Sequence, residues 1–284
     1  MRELLSIAHN QEFAIDKGVS FKEAIEAMYK NKNGCIILLK EKKPVAILTE
    51  SDVIKALQFH VDFNEKAYSY ATKPIITALA NRPIESAFDM VIQYNIRRIV
   101  LLDSNAEYAG VVLQEDLLDY LEEDVYRVDL KISDILKPNQ KLIEINKESS
   151  LQDALELMYK AHIGSLLVTQ KSACIGILTE KDILSASYKE ADMKLAIEKC
   201  MSAPVIAIRE DNLVVDAIER MKGGSIRRLV VVDEFGYPVG ILTNKDILKH
   251  IKGNVAKMLE IKVRHAKETM ELLPEAIIEI INVK

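Results

Sequence analysis

The sequence predicts an α/β (α+β) fold built from four copies of one unit, each in the order strand, helix, strand, strand, helix. A short motif recurs four times and ends each time in an aspartate, at Asp52, Asp116, Asp182 and Asp246, with spacings of 64, 66 and 64 residues. A period this regular indicates a tandem repeat. Within each period, apolar residues at helical spacing alternate with short β-branched runs. Units of about 64 residues bury too little surface to be stable alone, so we expect them to associate in pairs.

The fourth copy shows why each element is expected. Its predicted elements are a strand at 205–208, a helix at 212–221, strands at 228–233 and 239–242, and a helix at 244–251. The first strand follows Pro204, Asp211 can cap the first helix, and Gly223-Gly224 is expected to end it. The run at 228–233 is almost entirely β-branched or apolar, which predicts a strand buried on both faces.

The other three copies have the same pattern of elements. Their helices are predicted at 21–30, 84–94 and 151–160, and their central strands at 35–39, 98–103 and 165–169. Each unit then forms a small sheet with helices on one face, and the other face needs a partner. We place the repeats at 1–62, 63–124, 125–190 and 191–253, followed by a C-terminal segment at 254–284.

Composition and charge restrict the classes of function. The chain has 284 residues and a formal net charge of −5, which disfavours non-specific binding to nucleic acid or to an anionic membrane. No stretch has 18 consecutive apolar residues, so no transmembrane helix is expected. The three cysteines have no metal-ligand spacing. We therefore expect a cytoplasmic protein with no metal site.

The repeated Thr-x-x-Asp motif has two interpretations. It occurs as Thr49/Asp52, Thr179/Asp182 and Thr243/Asp246. A threonine followed three residues later by an acid, before an apolar helix, is typical of a capping box. However, the second copy keeps Asp116 although Leu113 replaces the capping hydroxyl. A small residue also precedes each threonine by three positions, so a ligand can approach the strand. Helix N-termini favour phosphate, and a carboxylate can bind a sugar diol.

A second set of candidate residues occurs only in the even copies. Arg97-Arg98 and Arg227-Arg228 begin the central strands of copies two and four, where copies one and three have Gly34-Cys35 and Gly164-Ser165. These arginines fit a surface ion pair or a phosphate clamp, because the guanidinium group suits both. The difference between odd and even copies suggests that they pair as unlike halves.

Taken together, these motifs resemble the CBS-domain family, the regulatory repeat named after cystathionine β-synthase. The resemblance covers residues 3–251 and rests on the unit order, the motif Gly-Ile-Leu-Thr-x-x-Asp-Ile-Leu, and the alternation of Ile-Gly-Ser-Leu with Ile-Arg-Arg-Leu-Val-Val-Val-Asp. It implies that two repeats pair through their sheets into a Bateman module, and that adenine nucleotides bind in the clefts between them. Four repeats then form two Bateman modules, residues 1–124 and 125–253.

The resemblance also implies roles for particular residues. The expected ligands of the ribose and phosphate groups are Thr49, Asp52, Arg97, Arg98, Thr179, Asp182, Arg227, Arg228, Thr243 and Asp246. The residues expected to wall the adenine are Leu142, Ile143, Val205 and Ile206. The first module departs from the motif, with Ala46 in place of glycine and Leu113 in place of threonine. We therefore expect the second module to bind more tightly.

The expected function is that of a non-catalytic sensor. The regulatory ligand is AMP, ADP, ATP or S-adenosylmethionine, and its binding state is transmitted to an output domain in signal transduction. No catalytic constellation of residues is visible. The alternative is a dimerisation or scaffold module whose clefts are empty.

The segment after Gly253 departs from the repeat pattern. Apolar residues from Val255 to Leu273 follow steps of three and four, which predicts a connector helix with one apolar seam. Such a helix can fold back on the second module or form a homodimer. Residues 272–280 resemble the start of a PAS domain, which suggests a longer natural chain with a PAS domain and a GGDEF-type cyclase or kinase output.

Overall fold

The protein is described by a computed structural model that covers residues 2–9, 13–32, 34–121, 130–137 and 140–251. The connector helix and the PAS-like strand predicted at 254–284 lie outside the described residues, as does the predicted module boundary at 124/125. Within the described ranges, no helix combines the length and the apolar character needed to cross a membrane.

The first module contains two repeats with the same elements. The first consists of β1 (Ala14–Asp16), α1 (Phe21–Asn31), β2 (Cys35–Lys40), β3 (Lys43–Thr49) and α2 (Glu50–Gln58). The second consists of β4 (Thr77–Leu79), α3 (Glu85–Gln93), β5 (Arg98–Leu102), β6 (Tyr108–Leu113) and α4 (Gln114–Tyr120). The predicted order strand, helix, strand, strand, helix is confirmed in both.

The second module repeats this arrangement after a short helix, α5 (Ile132–Ile135). The third repeat consists of β7 (Glu144–Asn146), α6 (Leu151–Ala161), β8 (Ser165–Gln170), β9 (Ala173–Thr179) and α7 (Glu180–Tyr188). The fourth consists of β10 (Ala207–Arg209), α8 (Val214–Gly224), β11 (Arg228–Val232), β12 (Pro238–Thr243) and α9 (244–251). In each three-stranded sheet, the central strand is parallel to the first strand and antiparallel to the third.

Two predictions for helix α8 are wrong. The helix begins at Val214, and its capping acid is Asp216, whose carboxylate accepts the Leu213 backbone N–H at 3.0 Å. Asp211 instead binds the Arg209 guanidinium. The helix continues through Gly223 and Gly224 and ends where Ser225 adopts a left-handed φ of 48°. Helical hydrogen bonding therefore outweighs the low helix propensity of the two glycines.

The central strands are buried on both faces, as predicted. In β2, Ile36 and Leu38 pack into the core formed with the helices, whereas Cys35 and Ile37 belong to a second cluster shared with β5 and β6. Successive side chains of a strand face opposite sides, so one face meets the repeat's own helices and the other meets the partner sheet. The two repeats of the first module therefore pair through their sheets.

The helical faces are covered within the same chain. Helix α1 packs on α7, and α2 packs on α6 and α7, so one core joins repeats one and three. A second core joins repeats two and four. Two aromatic contacts join the same helices: Tyr29 stacks on Tyr188 with ring centroids 4.2 Å apart, and Tyr159 meets Phe59 edge-on at 5.6 Å. The two modules thus form one body through their helices.

Candidate ligand clefts and the charged cluster between them

The aspartate of each repeat motif caps its own helix with one carboxylate oxygen. Asp182 Oδ2 accepts the Thr179 backbone N–H at 2.7 Å and the Thr179 hydroxyl at 2.6 Å. The same pair of bonds is made by Thr49 to Asp52 at 2.8 and 2.7 Å and by Thr243 to Asp246 at 3.1 and 2.5 Å. Capping therefore accounts for half of each carboxylate and leaves the second oxygen to explain.

In the odd repeats, that second oxygen faces the seam with the partner repeat. Asp182 Oδ1 accepts the Ser202 hydroxyl at 3.2 Å, and Asp52 Oδ1 accepts the Thr72 hydroxyl at 2.8 Å. Ser202 and Thr72 precede the first strand of the partner repeat. Burial raises the pKa of Asp182, although its hydrogen bonds to Thr179 and Ser202 oppose this change. A hydroxyl at this position is a partner that a sugar hydroxyl can replace.

In the second repeat, the corresponding oxygen is bound by a side chain of the same chain. Asp116 Oδ1 lies 2.9 Å from His9 Nε2, and its Oδ2 accepts the Leu113 backbone N–H at 2.7 Å. His9 is held in place because its backbone pairs with Val111 in both directions, at 2.8 and 2.9 Å. Burial raises the pKa of Asp116, and His9 partly offsets this effect. The imidazole therefore occupies the cleft side of this carboxylate.

The strand that leads to Asp246 is also covered by the chain itself. A Cβ atom added to Gly240 would lie 2.7 Å from a Leu136 methyl group. The Ile241 backbone N–H donates to Gln140 Oε1 at 2.8 Å. Gly240 therefore admits a leucine side chain. Thr243 lines a separate cavity of about 630 Å³ between repeats two and four.

A large candidate cleft lies around Thr179 and Asp182 and has a volume of about 1080 Å³. Its lining combines polar groups of the motif, apolar side chains and cations. The apolar side chains are Ile177, Pro204, Ile206 and Val230, and the cations are Lys30, Lys32, Lys181, Arg227 and Arg228. Because Lys30 and Lys32 come from the first module, this cleft belongs to both modules.

The equivalent cleft of the first module is smaller, at about 360 Å³. It is lined by the same kinds of group, namely Thr49, Glu50, Thr72, Ile47, Pro74, Ile75, Ile76, Arg97 and Arg98. Both clefts therefore have an apolar wall and an arginine pair from the partner repeat, but Asp182 lines its cleft directly, whereas Asp52 borders the smaller one through its hydroxyl partners Thr49 and Thr72.

A charged cluster connects the two clefts, and we define it as Glu50, Glu180, Arg97, Arg227 and Arg228. Arg227 Nη2 lies 2.7 Å from both Glu50 carboxylate oxygens. Arg97 Nη1 donates to Glu180 Oε2 at 3.0 Å, and Arg228 Nη2 lies 4.0 Å from the same oxygen. The Arg227–Glu50 and Arg97–Glu180 pairs each join an even repeat of one module to an odd repeat of the other, whereas Arg228 and Glu180 belong to the same module. The arginines do form ion pairs, but these are not surface ion pairs, because the partner glutamates Glu50 and Glu180 are only 2% and 4% exposed.

Backbone hydrogen bonds place these residues at the same point of each repeat. In every repeat, the first residue of the last helix donates its N–H to the residue that immediately precedes the central strand. The four bonds are Glu50 to Gly34 at 3.1 Å, Gln114 to Arg97 at 3.2 Å, Glu180 to Gly164 at 3.2 Å, and Asn244 to Arg227 at 3.4 Å. Odd repeats thus place glutamate beside glycine, and even repeats place an amide beside arginine.

The pKa shifts of the cluster follow from burial and pairing. Burial raises the pKa of Glu180, but Arg97, the Ser51 hydroxyl and Arg228 outweigh it and hold the pKa below its usual range. Burial, reinforced by the neighbouring Arg97, lowers the pKa of Arg228 to about 10, which leaves the guanidinium charged at neutral pH. Glu180 and Arg228 are therefore both charged at neutral pH.

The structure brings some of the predicted site residues together in the two clefts and places others elsewhere. Thr179, Asp182, Ile206, Arg227 and Arg228 meet at the larger cleft, and Thr49, Arg97 and Arg98 meet at the smaller one. Val205 is half-buried beside Ile206, and Leu142 is also half-buried. Ile143 packs against the core between repeats one and three. Asp246 caps its helix in the fourth repeat.

Several residues of these clefts were not predicted. Glu50, Glu180, Lys181, Ser202 and Thr72 line the clefts or bind their key side chains. One signal for them was available: glutamate follows the threonine in the odd repeats, whereas glutamine or asparagine occupies that position in the even repeats. Among the described residues, no group of three His, Cys, Asp or Glu side chains is arranged to hold a metal ion.

Comparisons with known proteins agree with this architecture. The family model of the CBS domain matches residues 6–59, 67–123, 132–189 and 197–253. The uncharacterized protein MJ1404 of Methanocaldococcus jannaschii is 26% identical over 193 residues, which are 66% of this chain and 44% of that protein. The uncharacterized protein MK0525 of Methanopyrus kandleri is 39% identical over 108 residues, 36% of this chain and 55% of that protein. The chain thus spans about half the length of these two relatives.

A solved structure shows the same fold over most of the chain. The crystal structure of protein MJ1225 from Methanocaldococcus jannaschii, described as a putative archaeal homolog of γ-AMPK, superposes with a TM-score of 0.77 at 20% identity. The match covers 88% of this chain and 99% of that one. Since the family model matches four successive segments that coincide with the four repeated units, the chain belongs to the CBS-domain family, with its repeats paired as Bateman modules.

Proposed function

We propose that the chain is a non-catalytic sensor that binds an adenosine compound in the cleft around Asp182 and transmits the bound state to an output domain. One observation carries this proposal. A half-capped carboxylate, an apolar wall and two arginines line the same cleft of about 1080 Å³. These are the groups that bind a sugar diol, an adenine ring and a phosphate.

The ribose is expected at Asp182. Its Oδ2 is committed to the helix cap, but its Oδ1 is bound only by the Ser202 hydroxyl at 3.2 Å among the contacts the structure shows. A vicinal diol can bind a carboxylate through two hydrogen bonds, and bonds to a charged group are the stronger ones. If a ribose hydroxyl replaces the Ser202 hydroxyl, the Asp182 carboxylate keeps a hydrogen-bond donor.

The phosphate and the base have separate partners. Arg227, Arg228 and Lys181 line the cleft and supply positive charge, which supports a phosphate of AMP, ADP or ATP. Ile206 is 41% exposed and offers an apolar surface to an adenine ring. Val205 next to it remains a proposed part of the wall. S-adenosylmethionine carries no phosphate, so the arginines favour a nucleotide over it.

The four clefts are not equivalent in this proposal. The cleft beside Asp52 is lined by Thr49, Thr72 and an arginine pair, and it has only about a third of the volume of the cleft at Asp182. In the second repeat, His9 already binds the Asp116 carboxylate. In the fourth repeat, Leu136 and Gln140 cover strand β12. We therefore propose that Asp182 marks the principal site and Asp52 the second site. The second module is then still expected to bind more tightly than the first.

Transmission is proposed to use the contacts between the modules. Lys30 and Lys32 of the first module line the cleft of the second, and the ion pairs of the charged cluster cross the same boundary. A ligand that binds one relative arrangement of the modules better will shift the population toward it. A PAS, cyclase or kinase output, a homodimer and a cytoplasmic location remain proposals.

The test separates ligand binding from helix capping. Asp182→Ala removes both roles, whereas Asp153→Ala removes only a cap, because the exposed Asp153 forms the same capping box with Ser150 at the start of helix α6. Titration calorimetry with AMP, ADP, ATP and S-adenosylmethionine gives the affinity, and thermal melts give the stability. We expect both variants to lose about 1 kcal/mol of stability. Only Asp182→Ala is expected to weaken binding, by about 1–3 kcal/mol.

The alternative is a scaffold with empty clefts. It is favoured by the arginines that already have glutamate partners, by the binding of His9 to Asp116, and by the strand that Leu136 and Gln140 cover. No heat of binding and no thermal shift with any of the four compounds at millimolar concentration would establish the scaffold and end the sensor proposal.

A further inference from the structure

The glutamate that begins helix α2 occupies a position built for a buried carboxylate. Glu50 is 2% exposed, and its N–H is fixed to the Gly34 carbonyl at 3.1 Å. A Cβ atom at Gly34 would overlap the Glu50 carboxylate, and Gly34 has a left-handed φ of 65°. Glycine is therefore required at this position for two reasons: its backbone is left-handed, and a Cβ atom would take the space of the Glu50 carboxylate.

This carboxylate binds a cation of the principal cleft. Both oxygens of Glu50 lie 2.7 Å from Arg227 Nη2, and Glu50, Arg227 and Arg228 line the same cleft as Thr179 and Asp182. A guanidinium binds carboxylate and phosphate through the same donors. Glu50 thus occupies one of the places on Arg227 that a phosphate of the ligand would take.

We propose that Glu50 determines how the Asp182 cleft discriminates between ligands of different phosphate charge. This inference rests on the proposed function. A phosphate that reaches Arg227 must either share it with Glu50 or displace Glu50. Sharing brings two anions together, and their repulsion grows with the charge of the ligand. Displacement leaves a buried carboxylate without its counter-ion, which is strongly unfavourable.

The consequence is that Glu50 reduces the preference for highly charged ligands that the positive lining of the cleft would otherwise give. The arginines and lysines attract a triphosphate more than a monophosphate, and Glu50 offsets that attraction. Adenosine has no phosphate and is indifferent to Glu50. The smaller cleft of the first module has the corresponding arrangement. Arg97 lines that cleft and is bound by Glu180, so we expect a carboxylate to limit phosphate binding in both clefts.

The experiment compares ligands that differ only in phosphate number. Affinities of the full chain for adenosine, AMP and ATP are measured by titration calorimetry for the wild type, Glu50→Gln and Glu156→Gln. Glu156 is a matched control, since it forms only an i,i+4 ion pair with Lys160 on the surface of α6. Glu50→Gln keeps the shape of the side chain and removes the charge.

We expect wild-type affinity to change less than tenfold between AMP and ATP. Glu50→Gln should bind ATP about tenfold more tightly or better, AMP about threefold more tightly, and adenosine as before, and Glu156→Gln should match the wild type. The wild-type comparison stands even if Glu50→Gln does not fold. A wild-type preference for ATP well above tenfold, an unchanged phosphate series, or weaker phosphate binding by Glu50→Gln would overturn the inference.

The role of Glu50 can be tested apart from the proposed function. If the wild type binds no adenosine compound, the sensor proposal fails, and inorganic tripolyphosphate then serves as the probe. Tighter tripolyphosphate binding by Glu50→Gln than by the wild type supports the role of Glu50. Equal or weaker binding overturns it.

Discussion

Gly164→Ala is expected to destabilise the protein through a side chain that is distant in sequence. A Cβ atom at Gly164 would lie 2.7 Å from Glu180 Oε2, 2.9 Å from Glu180 Cδ and 3.3 Å from Arg228 Nη1. The backbone of Gly164 is outside the left-handed region, so alanine causes no backbone strain. The carboxylate must therefore move, and with it the contacts to Arg97 and Ser51.

The magnitude follows from the bonds that are lost. A hydrogen bond to a charged group contributes about 1.5–3 kcal/mol, and the 43% exposure of the Arg97 side chain places that bond at the low end. Replacing glycine by alanine in a compatible backbone stabilises by about 0.4–1 kcal/mol. We expect a net loss of about 1–3 kcal/mol, since two contacts weaken and the carboxylate relaxes in part. For a chain of this size, each kcal/mol lowers Tm by about 2–4 °C.

The assay is thermal and urea unfolding of Gly164→Ala beside Gly223→Ala. Gly223 lies in helix α8, and a Cβ atom there meets no heavy atom within 4 Å, so this control should gain up to about 1 kcal/mol from helix propensity. In a Glu180→Ala background, Gly164→Ala should cost little, because the carboxylate is absent. If Gly164→Ala is as stable as Gly223→Ala, or equally harmful with and without Glu180, the carboxylate is not the cause.

Two further predictions concern acid stability and assembly. The pKa of Glu180 is lowered in the folded state, so its stabilising effect is present above the unfolded pKa of about 4.3 and disappears as the pH falls through the folded value. Urea midpoints from pH 7 to 3 should therefore fall less steeply for Glu180→Gln than for Glu156→Gln, and parallel curves would contradict this. The apolar seam predicted at 255–273 is expected to hold a homodimer, whereas residues 1–253 should be monomeric because their helical faces are already covered internally. Light scattering on both chain lengths checks this, and two monomers would rule out the seam as a dimer contact.

The repeated unit was predictable because its signals are local. The β-branched runs at 98–103 and 228–233, the caps at Thr49 and Thr179, and the helical spacing all depend on neighbouring residues, and the observed strands and helices agree within a few residues. The end of α8 was not predictable in this way, since Gly223 and Gly224 stay helical and Ser225 takes the left-handed conformation.

The candidate site was predictable only in part, for a different reason. Thr179, Asp182 and Arg227 were identified because each belongs to a repeated motif. Their partners were missed because the contacts join distant parts of the chain: Glu50 and Arg227 are separated by 177 residues. Likewise, His9 binds Asp116 from a segment that has no motif of its own.

The charged cluster determines the symmetry of the boundary between the two modules. Arg97 binds Glu180 and Arg227 binds Glu50, so each module contributes one acid and one base to the boundary and receives the same from its partner. The boundary is therefore isologous, and either module carries the complement of its own surface. Two copies of one module satisfy the same pairing rule, so the loss of one acid from either module leaves one complete ion pair at the boundary.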